Sequence, residues 1–146
     1  MAPNLVPGSF QIVSLIEGNP PTSVNLTKPA GQSVYLKGPV TNWKVKKESD
    51  NTWHLTLGGY PYTGVVKDKV TATINDDKNV KWIATYREFQ DGYTIQPADK
   101  PSSGWTVHSD SEDGSPQVEI KTIIEFKSLP PKYLTSQLFR FVPVLE

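Results

Sequence analysis

Polar and apolar residues alternate over short runs along most of the chain, which is the pattern of strands with one buried face. At residues 43–46, for example, Trp43 and Val45 alternate with Lys44 and Lys46. Glycine, proline, asparagine and aspartate separate these runs and supply turns. No stretch keeps a 3.6-residue period with capping residues at its ends, so the sequence predicts an all-β fold with little or no helix.

Aromatic residues mark two recurring positions, and the first of them recurs roughly every 40 residues. The first position follows a turn residue and is occupied by Phe10, Trp53 and Tyr93. The second position begins a strand-like run and is occupied by Trp43, Trp82 and Phe139. A period of this length indicates one supersecondary unit used three times. We expect both sets of aromatic side chains to fill the core.

Four strand-like runs in each of the three units give twelve strands. This count favours a β-trefoil over an ordinary β-sandwich: a six-stranded barrel closed at one end by three hairpins, without exposed sheet edges. We expect a single domain over residues 1–146, with approximate repeats at 8–48, 49–88 and 89–146. The third unit is the longest, and its extra residues are expected in the loop at 109–116, the loop at 127–137, or both, since added function is usually carried in loops.

Composition excludes several classes of function. The 15 basic residues balance the 15 acidic ones, so neither nucleic acid nor a membrane is an expected partner. There is no cysteine, which excludes disulfides and thiolate chemistry, and no His, Asp or Glu spacing indicates a metal site or a cofactor. No nucleophile-elbow motif is present, so we expect a monomeric non-enzyme. The chain opens without a visible signal peptide, which predicts a cytoplasmic protein or one released by another route.

One segment carries the chemistry of a protease ligand. Lys127 precedes the small residue Ser128, and Pro130 and Pro131 follow closely. The prolines fix their own φ and favour extended backbone in the residues before them, so little loop entropy is lost on docking. We therefore expect Lys127 to enter the specificity pocket of a protease that cuts after basic residues, with Lys127–Ser128 as the scissile bond.

The neighbouring residues would support this loop. Glu125 and Phe126 would line the acyl side, and Leu129, Pro130 and Pro131 would shape the leaving side. The order Lys-Ser-x-Pro-Pro also resembles the reactive loop of Bowman–Birk inhibitors, although Phe126 stands where that loop usually has a threonine that forms an internal hydrogen bond. A second candidate inhibitory loop contains Asn25, Thr27 and Lys28.

A second resemblance, to a different inhibitor family, covers the whole chain and rests on three segments. Residues 8–12, 93–99 and 137–139 resemble the mushroom β-trefoil protease inhibitors, in particular their trypsin-inhibiting branch, the mycospins. This resemblance implies a β-trefoil and inhibition of trypsin-like serine proteases. Lectins of the ricin-B type share some of these motifs, so a carbohydrate-binding module is one alternative. Inhibition of cysteine proteases through other loops, such as residues 18–21, is another.

Overall fold

The computed structural model describes residues 5–24, 32–36, 41–49, 52–57, 60–73, 80–108, 117–128 and 131–144. Strands and turns dominate these ranges, and the helical content described is one 3-10 turn at Thr135–Gln137. The expectation of an all-β chain with little or no helix is confirmed. Within the described ranges, no helix is long and apolar enough to cross a bilayer.

The described residues contain fifteen strand segments, more than the twelve expected, because several are only two residues long. In chain order they are β1 (Gly8–Ser14), β2 (Thr22–Ser23), β3 (Gln32–Ser33), β4 (Tyr35–Leu36), β5 (Trp43–Lys47), β6 (Trp53–Leu57), β7 (Tyr62–Val66), β8 (Lys69–Thr73), β9 (Trp82–Arg87), β10 (Gly92–Pro97), β11 (Ser103–His108), β12 (Gln117–Thr122), β13 (Glu125–Phe126), β14 (Lys132–Tyr133) and β15 (Phe139–Pro143).

Six of these strands form a closed barrel in the order β1-β15-β10-β9-β6-β5, and every neighbouring pair is antiparallel. The alternation seen in the sequence decides which side chains face inward. In β5, Trp43 and Val45 are buried while Lys44 and Lys46 are exposed. In β6, every second residue from Trp53 onward is buried in the same way. The remaining long strands pair as β7–β8 and β11–β12 in a second sheet, where β2 pairs with β4.

Four aromatic rings occupy the centre of the molecule. Trp105 has its ring centroid 5.5 Å from that of Trp43, 5.6 Å from that of Trp82 and 5.6 Å from that of Phe139. All four side chains have no exposed surface. Trp43, Trp82 and Phe139, which occupy the second recurring position of the sequence, therefore surround one ring. Their predicted role in filling the core is confirmed. The other set is buried as well, with 7 to 9% of Phe10, Trp53 and Tyr93 exposed.

Two of these aromatics are paired with a threonine. The indole N–H of Trp43 donates to the Thr22 hydroxyl at 2.8 Å, and that hydroxyl donates to the carbonyl of Ile12 at 2.7 Å. The indole of Trp82 donates to the backbone carbonyl of Thr63 at 3.2 Å. Each of these two tryptophans thus donates its buried indole N–H to an acceptor, Trp43 to one on β2 and Trp82 to one on β7, so neither N–H is left unpaired.

Phe139, the third aromatic of this set, has no N–H to donate. Strand β11, which carries the central Trp105, is tightly packed at Gly104. A Cβ at this position would lie 2.6 Å from the Cδ1 atom of Ile123 and 2.9 Å from the carbonyl oxygen of Ile95. A residue larger than glycine would therefore displace either a neighbouring side chain or the barrel backbone.

The connection before β15 is the long one. It runs from residue 123 to 138, whereas residues 37–42 and 74–81 join the corresponding barrel strands β5 and β9 to the strands before them. Part of the predicted extra length of the third unit lies here. The other predicted insertion, at 109–116, lies outside the described residues, and the division into three repeats stays a prediction.

Candidate functional site

The segment around Lys127 is a short hairpin, where the sequence had predicted an unpaired loop. Strand β13 pairs antiparallel with β14, with Glu125 opposite Tyr133 and Phe126 opposite Lys132. Pro131 directly precedes β14, where its fixed φ suits entry into an extended strand. Leu129 and Pro130, which were expected to shape the leaving side, lie outside the described residues. The hairpin therefore presents Lys127 and Ser128 immediately after the end of its first strand.

Lys127 lies at the centre of a tight turn. The backbone N–H of Ser128 donates to the carbonyl oxygen of Phe126 at 2.9 Å, so a three-residue turn encloses Lys127. Both Lys127 and Ser128 are exposed. An internal hydrogen bond thus exists despite the absence of the threonine found in the Bowman–Birk loop, because the backbone itself supplies the donor and the acceptor.

Phe126 faces solvent beside this turn. Its side chain is 49% exposed, so it does not pack back onto the barrel. Together with Glu125, Lys127, Ser128 and Pro131 it lines an open depression of about 390 Å³. The acyl-side residues Glu125 and Phe126 and the leaving-side residue Pro131 therefore border the same depression.

Tyr133 anchors the second strand of the hairpin. It is 9% exposed, and its hydroxyl donates to Oε1 of Glu125 at 2.9 Å, which joins the two strands through their side chains. The guanidinium carbon of Arg87 lies 4.4 Å from the centroid of the Tyr133 ring, a cation–π contact. Burial raises the pKa of the Tyr133 phenol, the Glu125 hydrogen bond raises it further, and nearby Arg87 partly opposes the rise. Tyr133 therefore remains a hydrogen-bond donor at neutral pH.

Gln90 holds the same strand through its backbone. The backbone N–H of Tyr133 donates to Oε1 of Gln90 at 2.7 Å, and Nε2 of Gln90 donates to the carbonyl of Tyr133 at 3.0 Å. Gln90 lies in the turn between β9 and β10. Its primary amide therefore pairs with Tyr133 as a neighbouring strand would, with one donor and one acceptor.

Gln137 holds the segment that leads into the hairpin. The backbone N–H of Ile124 donates to its Oε1 at 3.0 Å, and its Nε2 donates to the carbonyl of Thr122 at 2.8 Å and to the Thr106 hydroxyl at 3.1 Å. Only 1% of Gln137 is exposed. A buried amide that meets three partners fixes the position of residues 122–124 relative to β11.

Comparison with models of known protein families identifies the family of this chain. A model of the family described as Peptidase inhibitor I66 matches residues 19–143. The chain belongs to this family. The resemblance to the mushroom protease inhibitors, the mycospins, is confirmed by that match.

Solved structures show the same fold at low sequence identity. A proteinase inhibitor from Coprinopsis cinerea superposes with a TM-score of 0.82 at 24% identity, covering 97% of this chain and all of that one. A mosquitocidal holotoxin gives a TM-score of 0.69 at 21% identity over 99% of this chain, which spans 17% of the toxin. Cry35Ab1 gives 0.69 at 13% identity over 94% of this chain, which spans 36% of that protein. Comparison with curated protein sequences finds no match.

Of the two other candidate loops predicted from the sequence, the structure describes one. Asn25, Thr27 and Lys28, the second-choice inhibitory loop, lie outside the described residues. Residues 18–21 form a tight turn held against β1: Gly18 and Asn19 have positive φ, and the N–H of Ser14 donates to the carbonyl of Pro20 at 2.9 Å. Gly18 and Asn19 are exposed at this turn and Pro20 is buried, and inhibition of a cysteine protease through this segment stays a prediction.

A second depression, of about 360 Å³, lies beside β1, β10 and β15. Tyr86, Tyr93 and Phe141 border it, and its polar groups are already paired: the Tyr86 hydroxyl donates to Asp91 at 2.6 Å and Arg140 lies 3.7 Å from the same carboxylate. The hydrogen bond to Asp91 raises the pKa of Tyr86 to about 12. Trp43, Trp82 and Phe139 are fully buried and offer no stacking platform for a sugar, whereas Phe10 and Tyr93 border this depression.

Sequence reasoning missed Gln90 and Gln137 as functional residues. Gln90 stands 43 positions from its partner Tyr133, and nothing in the local sequence connects the two. Gln137 belongs to the segment 137–139 that carries the family resemblance, but nothing in the sequence shows that its amide is buried or which groups it meets.

Proposed function

We propose that this member of the peptidase inhibitor family is a reversible, substrate-like inhibitor of trypsin-type serine proteases. Lys127 occupies the primary specificity pocket and Ser128 supplies the leaving-side amide. The observation that carries the proposal is an exposed Lys127–Ser128 bond at a turn of a hairpin whose two ends are each hydrogen-bonded to a glutamine side chain outside the hairpin. Inhibition in place of catalysis, a monomeric state and the lack of nucleic-acid or membrane partners are part of the same proposal.

The scaffold we propose is a β-trefoil formed by one domain over residues 1–146, with repeats at 8–48, 49–88 and 89–146. Three features support it: a closed six-stranded barrel, paired strands β7–β8 and β11–β12 with β2–β4 in the second sheet, and three corresponding aromatics around Trp105. In this arrangement the hairpin lies on the connection to the last barrel strand. A scaffold of this kind allows a long loop without loss of the core.

Electrostatics account for the proposed specificity. The pocket of a trypsin-like protease holds a buried carboxylate that pairs with a lysine or arginine side chain. A basic anchor that becomes fully desolvated on binding is typical of the few residues that dominate an interface. Phe126 and Pro131 border the anchor and would contact the protease on either side of the scissile bond.

Titration of trypsin with three variants tests the proposal. Lys127→Ala should weaken inhibition by roughly thirtyfold or more, corresponding to about 2 kcal/mol. Lys46→Ala is the control, because Lys46 is also an exposed lysine but lies on barrel strand β5, outside the hairpin, and should leave inhibition nearly unchanged. Lys127→Phe should lose trypsin inhibition and gain inhibition of chymotrypsin, whose pocket is a hydrophobic slot. Full inhibition by Lys127→Ala would move the reactive site to another loop.

A further inference from the structure

We propose that Gln90 and Gln137 are positioning residues that keep this protein an inhibitor by holding the two ends of the hairpin on either side of the scissile bond. This inference rests on the proposed function and adds the reason why the loop resists net hydrolysis. The two side chains are called the glutamine pins below. Neither touches Lys127 or Ser128 in its described contacts, so each acts through the backbone that it holds.

The first pin fixes the acyl side. Gln137 bonds the backbone N–H of Ile124 and the carbonyl of Thr122, and it is itself held by Thr106 of β11. Ile124 stands three residues before Lys127. Because Gln137 is buried and makes all three bonds, residues 122–124 are attached to the 3-10 turn that leads into β15 and, through Thr106, to β11.

The second pin fixes the leaving side. Gln90 pairs with both the N–H and the carbonyl of Tyr133, and the Arg87 guanidinium lies over the ring of the same tyrosine. Tyr133 stands five residues after Ser128. The leaving side is therefore attached to the β9–β10 turn, on a different element from the one that holds the acyl side.

The hairpin needs these attachments because its own pairing is short. Strands β13 and β14 have two residues each, and a two-stranded hairpin of this length is not stable by itself in water. Phe126 is half exposed and adds little packing. With no disulfide in the chain, the described contacts that hold both sides include the two glutamine amides, the buried Tyr133 and the Lys132 ammonium, which lies 5.4 Å from the centroid of the Phe89 ring.

The chemical consequence concerns the acyl-enzyme. The protease serine oxygen attacks the Lys127 carbonyl carbon, the Lys127–Ser128 bond breaks, and the Ser128 amine leaves with a proton donated by the protease histidine. While the pins hold both sides, that amine stays next to the acyl carbon at high effective concentration. It attacks the ester, returns a proton to the histidine, re-forms the peptide bond and releases the serine. Without a pin the amine withdraws, water hydrolyses the ester, and Lys127 ends as a carboxylate.

Three variants separate this role from a general loss of stability. Gln90→Ala removes both bonds to Tyr133. Gln137→Glu keeps the acceptor for Ile124 but loses the N–H that Thr122 needs. Gln96→Ala is the matched control: Gln96 is half-buried like Gln90, and its partners Thr85, Thr94 and Pro101 lie outside the hairpin.

Two readouts follow each variant in complex with trypsin. The first is the rate at which Lys127–Ser128 is cleaved at saturating trypsin, measured by mass spectrometry. The second is the ratio of intact to cleaved protein at equilibrium, approached from both forms. We expect Gln90→Ala and Gln137→Glu to be cleaved roughly tenfold to a hundredfold faster than wild type, since two net hydrogen bonds are lost, and not to be resealed. Gln96→Ala should match wild type in both readouts even where its melting temperature falls.

The outcomes are distinguishable. Cleavage and resealing at wild-type levels in Gln90→Ala, which is half-buried and the safer variant to fold, would overturn the role of the pins while leaving Lys127 as the reactive site. Undiminished inhibition by Lys127→Ala would overturn both proposals together. Faster cleavage in Gln96→Ala, equal to that of the two pin variants, would reduce the effect to general stability and also overturn the inference.

Discussion

The barrel interior and the β13–β14 hairpin are held together by different interactions. In the interior, Trp105 and its three aromatic neighbours have no exposed surface and are kept in place by apolar burial. In the hairpin, Glu125, Lys127 and Ser128 are exposed, and the fixed points are hydrogen bonds to the side chains of two glutamines outside it, Gln90 and Gln137. The comparison shows how a chain without disulfides can present an exposed segment: burial makes the scaffold rigid, and polar side chains attach the segment to it.

The largest effect is expected in the interior. Trp105→Ala removes the ring that contacts three others and should lower the free energy of unfolding by about 3–5 kcal/mol. Denaturant titration measures this loss. A loss of unfolding free energy below about 1 kcal/mol would contradict this comparison of interior and hairpin, because the barrel would then not depend on its central ring.

A smaller effect is expected at the base of the hairpin. Tyr133→Phe keeps the ring under Arg87 but removes the hydroxyl that bonds Glu125, so its effect should be about 1 kcal/mol on trypsin affinity and less on global unfolding. Inhibition assays and thermal unfolding on the same sample compare the two quantities. A drop in unfolding free energy without any change in inhibition would show that the hairpin is not attached separately from the barrel.

The smallest effect is a pH dependence in the turn that carries Gln90. The Tyr86 hydroxyl donates to Asp91, and this bond raises the pKa of Tyr86 from 10.0 to about 12. Because the native state holds the proton more tightly, the stabilisation is complete below pH 10 and is lost as the pH rises from 10 towards 12.

Melting temperatures measured across that pH range test the bond. Tyr86→Phe has no phenol to ionise, so its melting temperature should fall less steeply than that of wild type between pH 10 and 12. Parallel curves for the two proteins would mean that the Tyr86–Asp91 bond does not stabilise the turn.

The barrel could be predicted from the sequence because its signal is local. Trp43, Trp82 and Phe139 each begin a strand and are buried there. In β5 and β6, the burial of alternate residues follows from the geometry of a strand. The strand count was less accurate. Strands β13 and β14 depend on the packing of Tyr133 against Arg87 and Gln90. These two residues come from the end of β9 and the turn after it, far away in the sequence, so no local pattern predicts the two strands.

The reactive bond was proposed from residue types alone, while the groups that hold it were not. Lys127 and Ser128 combine a basic side chain, a small neighbour and nearby prolines, which are readable features of a sequence. The glutamine pins act by meeting backbone groups that only the folded chain brings close. Gln137 was visible as a Gln-x-aromatic pattern, but its buried amide and its three partners are properties of the fold.

The most direct test of the account is the position of the first cut made by catalytic trypsin at mildly acidic pH, read by mass spectrometry of the intact protein. The account predicts one early cleavage, at Lys127–Ser128, with the two pieces remaining together as a folded and still inhibitory molecule. Early cleavage at another lysine, or separation of the pieces on cleavage at Lys127, would contradict it.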